Sequence, residues 1–102
     1  MNQGLQIFLE YKIKPEFVNE YEKHMNEILV ELEQYSATEV DWYEAADQKH
    51  LYVEMFKLPT MAHYHAIKEM RQNSNHAVFG RLDQYVDGGI KKVHCWAFVQ
   101  RK

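Results

Sequence analysis

Leu5, Ile7, Leu9, Tyr11 and Ile13 take every second position near the start of this chain, until Lys14-Pro15 stops the run. A hydrophobic period of two sends successive side chains to opposite faces of a strand, so a sheet is the first commitment of the fold. The period then changes. Pro15 suits a first helical position and Glu16 the positive end of a helix. From there Phe17, Tyr21, His24 or Met25, Ile28, Leu32 and Tyr35 recur every three or four residues, which is one apolar stripe along a helix of about five turns. Glu20, Glu22, Lys23, Glu27, Glu31 and Glu33 form its solvated face.

The cycle then repeats with one extra strand. Ser36-Ala37-Thr38 ends the helix, and Val40, Trp42 and Tyr43 begin a second strand running to Ala45-Ala46. The polar link Asp47-Gln48-Lys49 leads into a third strand, His50 to Phe56, and the two form a hairpin. Thr60 is an N-cap for a helix through Met61, Tyr64, Ile67 and Met70. Asn73-Ser74-Asn75 breaks that helix, and Val78, Phe79, Leu82, Tyr85 and Val86 continue it. Gly88-Gly89 closes it, and Ile90 to Gln100 is a fourth strand. The order β, α, β, β, α, β predicts an α+β ferredoxin-like fold: one antiparallel four-stranded sheet, both helices on one face, and the first strand between the third and fourth. At 102 residues this is one domain, 1–102, without linker or repeat.

Composition narrows the function classes. A formal charge of −3 and the absence of a Lys/Arg cluster beyond Lys91-Lys92 and the tail argue against a nucleic-acid partner. Met1 to Glu10 has no signal-peptide pattern and no run is long enough to span a bilayer, so a cytoplasmic protein without a membrane partner is expected. Cys95 is the only cysteine, which excludes an intramolecular disulfide and a Cys-based zinc site and makes it a buried hydrophobe at strand spacing.

The second sheet face is the informative one. With helices on one side only, a monomer would show polar residues on the other. Taking Leu5, Ile7, Leu9, Leu51, Val53, Met55, Val93, Cys95, Ala97 and Val99 as the face beneath the helices, the opposite parity carries Phe8, Trp42, Tyr52, Phe56, Trp96 and Phe98. So many rings on one face mark an interaction surface, and two copies packed sheet to sheet bury it symmetrically. A homodimer through this face is expected. Glu10, Glu54 and His94 share the same parity, forming an acid/base or ion-pair cluster at the interface.

These segments resemble a known family. "KPEFVNEYEKH", "YVEMFKLPTMAHYHAIKEMR", "HAVFGRLDQYV" and the terminal "VHCWAFV" look like the dimeric α/β-barrel superfamily, and within it the antibiotic-biosynthesis-monooxygenase-like domains. The resemblance implies two sheets packed as a dimeric α/β barrel and a ligand cavity between the helices and the sheet of each subunit. It also implies an activity among cofactorless quinone-forming monooxygenases, haem-degrading monooxygenases and isomerases. The haem-degrading branch uses an Asn, a Trp and a His. Leu9 stands near the Asn position, Tyr64 or His65 near the Trp, and only His76 matches. Haem is thus the one cofactor to consider, against an expectation of none.

Around such a cavity the ligand-binding candidates are Tyr11, His24, Tyr64, His65 and His76, with His65, His76 and Tyr64 the catalytic candidates. No metal site is expected, because His63 and His65 are two apart on a helix and point in different directions. Nucleophile elbows and phosphate-cradling glycine loops are absent from the sequence. The expected function is a small-molecule enzyme or binder resembling cofactorless monooxygenases and acting on an apolar or aromatic compound. The alternatives are a non-catalytic dimeric module and a haem-binding or haem-degrading protein.

Overall fold

The computed structural model describes residues 4–102. Strand β1 (Leu5–Lys12) runs through Ile13 into a single 3-10 turn at Pro15–Phe17, which feeds helix α1 (Val18–Glu33). The hairpin is β2 (Thr38–Glu44) and β3 (Leu51–Leu58). Helix α2 (Met61–Arg71) follows, then a 3-10 turn at Phe79–Arg81, the short helix α3 (Leu82–Tyr85) and strand β4 (His94–Phe98). The four strands form one antiparallel sheet in the order β2-β3-β1-β4, with β1 between β3 and β4 as the element order requires. No helix among the described residues is long and apolar enough to cross a membrane.

The element ends follow from local chemistry. Helix α1 buries Tyr21, His24, Met25, Ile28 and Leu32. It closes where Ser36 enters the left-handed region (φ 71°) and Ala37 N–H returns to the Leu32 carbonyl at 3.3 Å, a Schellman-type ending. The Thr60 hydroxyl caps α2 by accepting the His63 amide at 3.2 Å. Beyond α2, Asn73 Oδ1 accepts the Asn75 amide at 2.9 Å, and His76 Nδ1 accepts those of Val78 and Phe79 at 3.2 and 3.1 Å. These side-chain caps compete with a continuous helix, which is why the apolar run from Val78 to Val86 yields only a 3-10 turn and one helical turn. Strand β4 is also shorter than the sequence pattern suggests. Gly88 and Gly89 (φ 87° and 88°) turn the chain, and Asp83 Oδ1 holds the Ile90 amide at 2.9 Å, so Ile90–Lys92 forms another 3-10 turn.

Strand β3 lies with the opposite parity to that expected. Ile7 pairs with Phe56, Leu9 with Glu54 and Tyr11 with Tyr52, so Tyr52, Glu54, Phe56 and Leu58 lie beneath the helices, and Leu51, Val53 and Met55 face away. Trp42 is opposite Glu54, which puts its ring on the helix side as well. The expected aromatic face therefore loses Trp42, Tyr52 and Phe56, and the expected Glu10–Glu54–His94 cluster loses Glu54. The run Leu51-Tyr52-Val53-Glu54-Met55-Phe56 is apolar at nearly every position, and its parity is not readable from itself. Its continuation carries the signal: Lys57 is exposed and Leu58 buried, so Leu58 in phase with Phe56 marks the inner face.

The outer face keeps Phe8, Trp96 and Phe98 and gains Tyr43, Val53 and Met55. Met55, Phe8 and Trp96 lie in one row across three strands, and the Phe8 and Phe98 rings meet edge to face at 6.2 Å. Trp96, Phe98 and Tyr43 are 43%, 51% and 51% exposed, so these rings on the outer face are not covered by the chain itself.

One tight contact tests the segment that joins α2 to α3. A Cβ placed on Gly80 would lie 2.4 Å from the Ser74 carbonyl oxygen and 2.7 Å from its carbon. Gly80→Ala is expected to lower stability by about 1–3 kcal/mol, read as a lower urea midpoint with unchanged slope. An unchanged midpoint would show that the 73–80 turn yields freely.

Candidate functional site

The space between helices and sheet is occupied by protein. Leu9, Met25 and Ile28 have no exposed surface and Ile67 has 1%. Among these apolar groups lies a polar chain that sequence reading did not assemble. Arg71, from the last turn of α2, makes two bonds to the Glu54 carboxylate at 2.7 and 2.8 Å, and both side chains are fully buried. The Tyr11 hydroxyl donates to the same carboxylate and lies 2.7 Å from the Tyr21 hydroxyl. The Trp42 indole N–H donates to Tyr21 at 2.9 Å. Each hydroxyl has one proton, so the direction is set: Trp42 N–H to Tyr21, Tyr21 O–H to Tyr11, and Tyr11 O–H to Glu54. The chain crosses the underside of β2, β3 and β1 and ends on α2.

Burial disfavours the Arg71 charge, and the Glu54 carboxylate more than offsets this, so the guanidinium holds its proton more tightly than an ordinary arginine. Burial, followed by the nearby Glu54 charge, raises the pKa of Tyr11 and Tyr21 above the ordinary tyrosine value. The guanidinium also lies over the Phe79 ring at 5.0 Å, while its Nε has no hydrogen-bond partner. The arrangement is a neutralised, internally bonded ion pair whose charged side chains are fully buried, and it joins α2 to the sheet. Arg71 was detectable: it falls in phase with Tyr64 and Ile67 on the apolar stripe of α2, where a cation needs a buried anion.

The five ligand-binding candidates do not converge on one cavity. Tyr11 belongs to the buried chain. His24 is buried, with Nε2 2.7 Å from the Val78 carbonyl and Nδ1 3.5 Å from Glu27 Oε2, so it ties α1 to the segment before α3. His65 is exposed on α2, its ring 5.4 Å from that of Tyr64. His76 stacks on Phe79 at 4.5 Å with Nδ1 engaged by two backbone amides. Nδ1 of His76 is thereby occupied by the backbone, and Leu9 has no exposed surface. Among the described residues no three His, Cys, Asp or Glu gather to hold a metal ion. Glu10 and His94 do face each other across β1 and β4, on the outer face, where His94 stacks on Trp96 at 5.9 Å.

Tyr64 alone of the five lines a cleft of useful size. Between α2 and the β4 edge lies a space of about 380 Å³, within the range of small-molecule sites. Leu5, Cys95 and Ala97 form its floor, Met61, Tyr64, Lys68 and Gln72 one wall, and His94, Trp96 and Val99 the other. The walls are held in register by side chains of α2 that bond alternate β4-edge carbonyls: Tyr64 O–H to Cys95 O at 3.2 Å and Gln72 Nε2 to Val93 O at 3.0 Å. Burial pushes the Cys95 thiol up to about 11, a shift partly offset by the Arg71 and Lys68 charges, so Cys95 serves the floor as a neutral apolar group. A wider depression of about 810 Å³ by the β2–β3 hairpin is lined by Glu22, Glu44, Asp47, Lys49 and His50. Val18, Ala45, Ala46 and Tyr52 complete its lining, so its walls mix charged and apolar groups.

Two measurements check the interior. Glu54→Gln or Arg71→Met strands a buried charge and is expected to cost about 3–5 kcal/mol, whereas Glu54→Leu combined with Arg71→Met recovers most of the loss. Additive single effects in urea titrations would refute the coupling. The alkaline limb gives a second check. A thiol raised from 9.0 to about 11 in the fold contributes stability that is whole below pH 9 and is lost as the pH rises to 11, and the raised tyrosines extend the loss above pH 10. Cys95→Ala is expected to flatten the fall between pH 9 and 11 by up to about 3 kcal/mol, and Tyr11→Phe to flatten it above pH 10.

No family model matches the chain, and no curated protein matches it in sequence. Solved structures do match in fold. PA3566 from Pseudomonas aeruginosa superposes with a TM-score of 0.72 at 12% identity, over 100% of this chain and 98% of that one. A conserved protein from Methanosarcina mazei Go1 gives 0.75 at 14% identity, over 98% and 95%. An antibiotic biosynthesis monooxygenase gives 0.73 at 12% identity, over 96% and 99%. Whole-chain agreement at such low identity establishes architecture, and the chain has the ferredoxin-like fold of the antibiotic-biosynthesis-monooxygenase-like domains.

Proposed function

We propose that this protein is a homodimeric small-molecule binder or enzyme of the monooxygenase-like kind, taking an apolar or aromatic compound in the α2–β4 cleft without a bound organic cofactor. The observation that carries the reading is that cleft. It is bounded by Leu5, Met61, Tyr64, Trp96 and Val99, with only a few polar groups at its margin, the composition of a small-molecule site. The fold it shares with an antibiotic biosynthesis monooxygenase supports oxygen chemistry as the reaction class. Within the cleft, His94 supplies an imidazole suited to proton transfer, and Tyr64 a hydroxyl oxygen.

The dimer rests on the outer sheet face. Phe8, Tyr43, Val53, Met55, Trp96 and Phe98 form a contiguous apolar surface that a second copy covers symmetrically. Trp96 belongs both to this face and to the cleft, so dimerisation would shape the cleft's rim. A non-catalytic dimeric module is the second reading, favoured by the filled interior around Leu9, Met25, Ile28 and Ile67.

Light scattering on the purified chain is expected to give twice the 12.3 kDa chain mass, and Trp96→Glu to give monomer or insoluble protein. An unchanged dimer in Trp96→Glu removes the face assignment. Thermal-shift screening with aromatic compounds is expected to find stabilising ligands that Ala97→Trp, which fills the cleft floor, no longer binds. Hits accompanied by oxygen consumption favour the enzyme; a panel without hits favours the module.

A further inference from the structure

Of the surface concavities described, the α2–β4 cleft differs from the rest in charge. The hairpin depression contains Glu22, Glu44 and Asp47, the one beside α1 contains Glu20 and Glu27, and the one at the β1 end contains Glu10 and Asp87. The cleft is lined by Lys68 and, among the described residues, by no carboxylate at all. The other three also hold basic residues, Lys49, Lys23 with Arg81, and Lys12 with Lys92, but each of these is matched or outnumbered by carboxylates, so of the four the cleft alone has a net positive lining.

Lys68 is also the one lysine or arginine in the cleft, whose remaining basic group is the His94 imidazole. Its ammonium lies over the Tyr64 ring at 5.8 Å, and among the described residues no carboxylate pairs with it, the ion pairs being His24–Glu27, Lys57–Glu39 and Arg71–Glu54. The ring contact keeps the half-buried side chain along the α2 wall. Of the neighbouring polar groups, the Tyr64 proton goes to Cys95 O and the Gln72 amide to Val93 O, while the His94 ring stacks on Trp96. The Lys68 charge also acts on the Cys95 thiol in the floor.

From this geometry we infer that the cleft selects an amphiphilic monoanion, an aryl or alkyl carboxylate whose charge is met by Lys68 and whose apolar body lies against Leu5, Met61 and Trp96. A phosphate or sugar calls for several convergent donors, and the cleft offers one permanent cation, with the His94 imidazole on the other wall, among mainly apolar groups. The inference rests on the cleft being the ligand site, and it adds the charge and class of the ligand.

The test follows the indole N–H resonances of the full-length protein, which has two tryptophans; Trp96→Phe assigns them. The probes are 2-naphthoate, neutral 2-naphthamide and cationic 2-naphthylmethylamine. Naphthoate is expected to shift the Trp96 signal and to bind about tenfold more tightly than the amide, the scale of one partly exposed charge-assisted bond, with the amine weakest. Lys68→Met is expected to bring naphthoate down to the amide's affinity and leave the amide unchanged, while Lys68→Arg keeps the preference. Equal binding of acid and amide, or a preference that survives Lys68→Met, overturns the anion assignment and leaves the cleft as the site. A Trp96 signal that no probe moves overturns the cleft itself and this inference with it.

Discussion

The buried pair of Glu54 and Arg71 is the interaction on which the inner half of the molecule is arranged. A carboxylate without exposed surface in the middle of β3 has no water to solvate it, and an unpaired charge there is strongly destabilising. Arg71 reaches it with two parallel bonds from the end of α2, so the docking of α2 on the sheet and the parity of β3 are mutually dependent. Turning β3 over would place Glu54 on the outer face and leave the guanidinium stranded. Two hydroxyls and an indole extend the pair across the sheet, so α1 and β2 take their places against the same polar chain.

This internal arrangement decides what is left for the surface. With Tyr52, Phe56, Trp42 and Tyr21 gathered beneath the helices, the interior between helices and sheet is filled. The concavity moves outward, to the margin between α2 and β4, where Tyr64 and Gln72 bond the strand edge and hold the walls apart. The outer face gains aliphatic residues from β3 in exchange for the rings it loses. It stays apolar, with a different membership from the one the aromatic count suggests.

The strand and helix order was legible because each change of hydrophobic period is local: every second residue from Leu5 to Ile13, then every third or fourth from Phe17. The Thr60 cap and the Gly88-Gly89 turn were legible for the same reason, since each acts through its own backbone neighbours. The candidate site was barely legible. Tyr64 lines the α2–β4 cleft rather than an interior cavity, and His24, His65 and His76 separate into a tie, a surface group and a cap. A histidine in a sequence carries no mark of whether its ring nitrogens meet a ligand or a backbone amide.

The sequence by itself determined the α+β order, the position of β1 within the sheet and the presence of an apolar outer face, because periodicity and chain connectivity are one-dimensional properties. Only the tertiary structure decided which residues occupy that face. A strand apolar on both parities takes its orientation from long-range pairing, here from Leu9 opposite Glu54 and from an arginine 17 residues further along the chain. The cleft was decided in the same way: its walls come from α2, β4 and Leu5, which are brought together by packing and share no local motif.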